Sequence, residues 1–245
     1  MALNPWLTAS LVLLSVWLLI WLVKPKLRKE MFWVSIFTAP FGLTEHLFVP
    51  EYWSPPSLFN LASRTGFDIE SFIFSFAIGG IGAIMYEALL RVNHQEISKH
   101  ERHRKKHRLH LLALASPVIV FLPLQLFTKL NPIYSASIAM FVGGIAAIFC
   151  RPDLKRKVWI GGLSFLALYF GFFLLFNLGY PGLVQEVWNL SAISGVLLLG
   201  VPLEELMFAF TFGMLWSSIY EHVLWYKAVK ARDERTNLED KKEKV

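Results

Sequence analysis

The chain is patterned as long, unbroken apolar runs, with its polar residues gathered between them. A bilayer core takes about 20 mostly apolar residues in a helix. Seven runs come close to that length or exceed it: 5–23, 31–48, 67–90, 111–126, 132–150, 158–179 and 194–225. Each run predicts a spanning helix and each polar gap a loop, so the expected fold is an all-α integral membrane protein, a seven-helix bundle. The first run lacks a positive n-region, and its basic residues follow it. It is therefore read as a retained span, not a cleaved leader.

Charge placement gives an orientation. Lys24, Lys26, Arg28 and Lys29 follow the first run, a cluster from Arg91 to Arg108 follows the third, Arg151 to Lys157 follow the fifth, and Lys227 to Lys244 follow the seventh. Only Arg64 and Lys129 fall on the opposite side. By the positive-inside rule the N-terminus is expected outside and the C-terminus in the cytoplasm. The net charge of +6 then reflects topology and anionic lipid headgroups, so the bilayer is the expected partner and nucleic acid is not. With 55% hydrophobic and 17% charged residues, against about a quarter charged in soluble domains, the composition excludes a disordered chain and argues against a soluble enzyme. The single Cys150 excludes an intramolecular disulfide and a zinc site built on cysteines. No glycine-rich strand-to-helix fingerprint for a dinucleotide is present.

A shift of 134 residues aligns two segments. Gly66-Phe67-Asp68-Ile69-Glu70-Ser71 falls on Gly200-Val201-Pro202-Leu203-Glu204-Glu205, and Phe74, Phe76, Gly79, Tyr86 and Glu87 fall on identical residues further along. Seven of the 22 positions from Gly66 to Glu87 are identical, where composition alone gives about one or two. The third and seventh runs are thus read as repeat equivalents in a parallel 3+1+3 plan. The units are residues 1–92, a basic loop and linker helix over 93–130, a second repeat over 131–227, and a charged tail over 228–245.

Carboxylates inside a membrane are costly and mark sites. Five stand out: Glu45, Asp68, Glu70, Glu204 and Glu205. Pro202 cannot donate to a helical carbonyl, so a helix is expected to start afresh there. That would place Glu204 and Glu205 in its first turn, where free amides and the positive helix end favour negative charge. Adjacent helical residues diverge by about 100°, so Glu204 is expected to face Glu70 across the repeat axis and Glu205 to meet another neighbour. His46 next to Glu45 could shuttle protons, and Asn177 adds a polar group in the sixth run. Tyr86-Glu87 and Tyr220-Glu221 are expected to snorkel at the inner ends. Tyr52, Trp53 and Trp188 fit a headgroup belt. The loop histidines His94, His100, His103, His107 and His110 are interleaved with Arg and Lys, which disfavours a metal site and favours a solvated amphipathic helix.

The run Gly200-Val-Pro-Leu-Glu-Glu-Leu-Met-Phe-Ala-Phe-Thr-Phe-Gly resembles the Pro-x-Glu-Glu signature of the lycopene cyclase domain family, the flavin-free, integral-membrane type found as heterodimeric or fused cyclases. The resemblance covers most of the chain and is strongest from about Tyr180 to Trp225. It implies redox-neutral cyclisation of a lycopene-like polyene end with no cofactor. It also implies catalytic acids at Glu204, Glu205 and Glu70, with Pro202 at the family's proline, and a homo- or hetero-oligomer; Asp68, Glu45, His46 and Asn177 are taken as supporting groups from their intramembrane placement. In the first half, Asp68 stands at the family's proline and Ser71 at its second acid. The chemistry requires a proton donated to an alkene, a dry cavity and a base. Phe74, Phe208, Phe212 and Trp216 are the candidate rings to shield a carbocation. Two other readings remain open: a non-catalytic lipid- or carotenoid-binding subunit, and a small-solute transporter of the same 3+1+3 plan. A retinal-binding receptor is rejected, because Lys227 and Lys230 lie at the end of the seventh run and not within it.

Overall fold

The computed structural model describes residues 4–90, 92–102 and 107–230. The chain is mostly helical, in the order α1 (Pro5–Val23), α2 (Arg28–Thr38), the one-turn α3 (Leu61–Thr65), α4 (Ile69–Leu90), α5 (Lys99–Arg102), α6 (His110–Phe127), α7 (Pro132–Cys150), α8 (Lys155–Gly179), the one-turn α9 (Leu183–Val187) and α10 (Leu203–Leu224). Among the described residues there are also four short strands: β1 (Val92–Glu96), β2 (Leu197–Leu198), β3 (Val201–Pro202) and β4 (Tyr226–Lys230). His103 and the tail beyond Lys230 lie outside the described residues.

Among the described residues, five helices are long and apolar enough to cross a membrane: α1, α4, α6, α7 and α8 with the 3₁₀ turn before it. The other two expected spans depart from simple helices. The second is α-helical only to Thr38 and continues as a 3₁₀ stretch, Ala39–Leu47. Pro40 opens that stretch and removes a backbone donor at the change of pitch. The seventh does not begin at residue 194. Residues 197–202 form a β2–β3 hairpin around Leu199 and Gly200, both at positive φ, and the helix starts only at Leu203 with Pro202 as its N-cap. A fresh helix start at Pro202 is what the sequence predicts; the hairpin before it is not.

The starts of α1 and α7 share a device. Asn4 caps α1 by accepting from the Trp6 and Leu7 amides, and Asn131 caps α7 by accepting from the Ile133 amide. A proline follows each Asn at the first helical position, where its missing N–H costs nothing.

Helix α10 packs on α8, α7 and α4, and α4 also contacts α1, α2 and α8, so α4 and α10 form the centre. Gly213 of α10 meets Gly161 and Gly162 of α8, where an added Cβ would lie 2.6 Å from the Phe165 side chain. Small residues let two apolar helices approach without a hydrophobic drive between them. By contrast, α6 rests mainly on α7, and within α6 only His110 is buried.

One end of the bundle carries the Gly200–Glu205 motif; the other carries the basic residues Lys24 and Arg151. At the basic end, β1 and β4 pair antiparallel, with His94 opposite Ala228.

Candidate functional site

Helix starts position the motif acids. Asp68 accepts from the Ser71 amide at 2.6 Å, the N-cap bond that a carboxylate makes to the third helical residue, so Asp68 starts α4. Pro202 occupies the same place before α10 and has no capping side chain. Asn177 donates to the Gly200 carbonyl at 3.0 Å and ties the hairpin to α8.

The acids separate. Glu205 turns into the bundle and gathers three donors from distant parts of the chain. The Tyr52 hydroxyl (2.6 Å) and the Trp188 indole N–H (2.9 Å) donate to Oε1, and the Tyr169 hydroxyl (2.9 Å) donates to Oε2. Glu204 turns to α7, accepting from the Tyr134 hydroxyl at 2.5 Å and the Ser194 amide at 3.0 Å. Glu70 accepts from the Leu58 amide at 2.7 Å and lies 3.5 Å from the Asn4 amide nitrogen. The expected Glu204–Glu70 pair is therefore not formed. Each carboxylate instead tethers the loop next to its own helix start.

The Tyr52-Trp53 and Trp188 segments depart from the headgroup-belt expectation. All three rings are buried. Residues 53 and 188 form an antiparallel bridge, with Ser54 N–H donating to the Val187 carbonyl and Asn189 N–H to the Tyr52 carbonyl. This backbone exchange brings Tyr52 and Trp188 to one oxygen of Glu205. Burial and the neighbouring Glu205 push the Tyr52 phenol above its ordinary range, so it remains a donor.

Beside Glu205 lies a cavity of about 420 Å³ with overwhelmingly apolar walls. Its acidic lining groups are Glu205 and Glu45. Glu45 is buried, and its Oε1 has no hydrogen-bond partner among the described residues. Phe74, Phe208, Phe212 and Trp216 all line the cavity, and the last three form a stacked ladder with centroid spacings of 5.5 and 4.4 Å. Phe72, Phe76 and Phe210 do not line it. Thr38 accepts from the Trp216 indole at 2.8 Å and fixes that ring. Neither Glu204 nor Glu70 reaches the cavity, nor do Asp68 and Asn177. His46 is exposed, with Nδ1 2.7 Å from the Leu43 carbonyl. Tyr169 carries no sequence signal, because a tyrosine within an aromatic run does not stand out from its neighbours.

At the basic end the expected snorkelling acids turn inward. Glu87 and Glu221 are buried around the Lys157 ammonium, which bonds both, at 2.5 Å in the case of Glu87. Glu30 stands 3.8 Å from Lys157, and His94 lies 2.7 Å from Glu221. A buried charge needs a partner, and these acids find one in a lysine whose place in the sequence marks it only as a loop charge.

A family model described as lycopene cyclase matches residues 4–89 and 131–223, most of the chain. The chain belongs to the lycopene cyclase family. Membership ties it to carotenoid cyclisation in general, and with the apolar helices it marks a membrane protein. No curated protein and no solved structure matches the chain.

Proposed function

We propose that the protein cyclises an acyclic, lycopene-like carotenoid end group in the cavity beside Glu205, by acid–base chemistry through a carbocation. The observation that carries the proposal is one apolar chamber that holds two carboxyl groups and a ladder of aromatic faces.

The reaction is an isomerisation. A proton adds to the terminal alkene, the ring closes on the resulting cation, and a neighbouring carbon gives up a proton, so nothing is gained or lost. The two acids differ in a way that suits two roles. Glu205 receives three donors, the environment that stabilises a carboxylate, and it serves as proton acceptor. Glu45, with an unpartnered oxygen in the apolar wall, serves as the neutral carboxyl that donates. Phe208, Phe212 and Trp216 offer their faces to the cation, and the apolar lining excludes the water that would quench it. Glu204 and Glu70 act as positioning residues, holding the loops that close the motif end.

The same reading takes the chain as seven spans in a parallel 3+1+3 plan, N-terminus outside, in a prokaryotic plasma membrane. The divisions are 1–92, 93–130, 131–227 and 228–245. The matching Asn-Pro starts of α1 and α7, the like-placed starts of α4 and α10, and the antiparallel pairing of β1 with β4 support a two-fold relation between the halves. A polyene reaches such a chamber sideways from the bilayer.

The test is expression in a bacterial host that accumulates lycopene, followed by pigment chromatography. Monocyclic or bicyclic product is expected. Unchanged pigment with the protein present in the membrane would reject cyclisation of this substrate and favour a binding subunit that needs a partner.

A further inference from the structure

The geometry points to a metal site at the basic end, made by Cys150, His107, His110 and His222 and suited to a zinc-like divalent cation. These residues come from three places. His107 lies just before α6 and His110 is its first residue, Cys150 is the last residue of α7, and His222 sits in the last turn of α10. Cys150 Sγ is 3.6 Å from His110 Nδ1 and 3.9 Å from His107 Nδ1. Ligand atoms of His110, Cys150 and His222 lie within 4.8 Å of one another.

The sulfur–nitrogen spacings approach those of tetrahedral coordination. Bonds of about 2.3 Å to sulfur and 2.0 Å to nitrogen at a tetrahedral angle put S and N ~3.5 Å apart and two nitrogens ~3.3 Å apart. At the sulfur, the His110 spacing already matches and the His107 spacing is a few tenths of an ångström long, while the nitrogens must draw together by side-chain rotation to complete the shell. His222 is buried and its Nε2 has no hydrogen-bond partner among the described residues, although an imidazole normally uses both nitrogens. The His110 ring is held by the Trp225 indole, stacked at 4.1 Å.

The sequence argued against metal because the loop histidines alternate with Arg and Lys. The fold removes that objection. It selects two of those histidines and adds Cys150 and His222. Arg151 lies nearby, but its charge is taken up elsewhere. It pairs with Asp153 through two bonds of 2.6 and 2.9 Å and donates to the Glu221 and Tyr226 carbonyls. The acid cluster around the adjacent Glu221 is a different case, because Lys157 already supplies its cation. Mixed Cys/His sets select zinc-like cations over calcium or magnesium, which take oxygen.

Binding would exchange the thiol proton for the metal: the S–H bond breaks, the S–metal bond forms, and the proton leaves to solvent. The site would clip α6 to α7 and α10. Because α6 contributes Leu114, Pro117, Val118 and Phe121 to the cavity wall, the clip would also hold one side of the chamber closed.

The experiment uses the full chain purified in detergent, stripped with a chelator and titrated with Co²⁺ and then Zn²⁺. The expected result is an intense thiolate-to-cobalt charge-transfer band that saturates at one equivalent, is displaced by Zn²⁺ and is lost in Cys150→Ser. A melting temperature that rises with Zn²⁺ in the unaltered chain is also expected. His222→Ala should weaken Zn²⁺ binding by at least the ~10–100-fold that losing a mere outer partner costs. A chain that shows no charge-transfer band, or whose metal binding is unaffected by Cys150→Ser, would overturn the assignment. The titration of the unaltered chain decides the matter even if a variant fails to fold.

Discussion

Glu205→Gln isolates the proton-transfer role of the cavity carboxylate. Glutamine keeps the side-chain volume and one carbonyl oxygen, which can retain the Tyr52 and Trp188 donors now on Oε1. Its new amide group then faces the Tyr169 hydroxyl, which must turn from donor to acceptor. All three hydrogen bonds to the carboxylate, worth about 1.5–3 kcal/mol each while it is charged, become neutral ones worth about 0.5–1.5 each. The stability loss at central values is thus about 4 kcal/mol, offset in part because a charge is no longer buried. Removing a positioned general base costs roughly 10²–10⁴ in rate, so cyclised pigment should fall below detection in a host where the unaltered chain converts most of its lycopene. The assay is pigment chromatography at matched membrane abundance, with melting temperature in detergent as the folding control. Tyr169→Phe serves as comparison: it removes a donor but leaves the carboxylate and should retain measurable product. If Glu205→Gln cyclises at the unaltered rate with equal abundance, the proposed base is wrong.

Glu45→Gln should also abolish product, with less effect on stability than Glu205→Gln because Glu45 Oε1 gives up no hydrogen bond; normal product would remove Glu45 from the chemistry. Lys157→Met should be severely destabilising, by about 3–5 kcal/mol, because it strands Glu87 and Glu221; it is read as lost monodispersity and a lower melting temperature, partly recovered by adding Glu221→Gln. Asp68→Ala should cost about 1 kcal/mol of cap, or ~2–4 °C in melting temperature, while Asp68→Asn, which can still cap, stays close to the unaltered chain; equal losses would argue against the capping role.

The spans were legible because the requirement is local. A run of the right length and polarity predicts a helix regardless of what it touches, and five of the helices meet that criterion directly. The restart at Pro202 was legible for the same reason, since a missing N–H acts at its own position. Local pattern failed where backbone geometry changes without a change in hydropathy. The 3₁₀ stretch Ala39–Leu47 and the β2–β3 hairpin are as apolar as the helices they interrupt.

The sequence by itself determined that this is a helical membrane protein of the lycopene cyclase family, with costly acids in apolar surroundings and aromatic rings close behind the acid motif. Only the tertiary structure decided which acids matter to that cavity. A carboxylate's role depends on the donors and space around it, and those come from far along the chain: Tyr52 meets Glu205 across 153 positions. Adjacent residues on one helix turn, Glu204 and Glu205, therefore face different neighbours, one tethering a loop and the other lining the chamber. In the same way Tyr52, Trp188, Glu87 and Glu221, each locally typical of a membrane interface, are turned inward by long-range pairing that no local periodicity records.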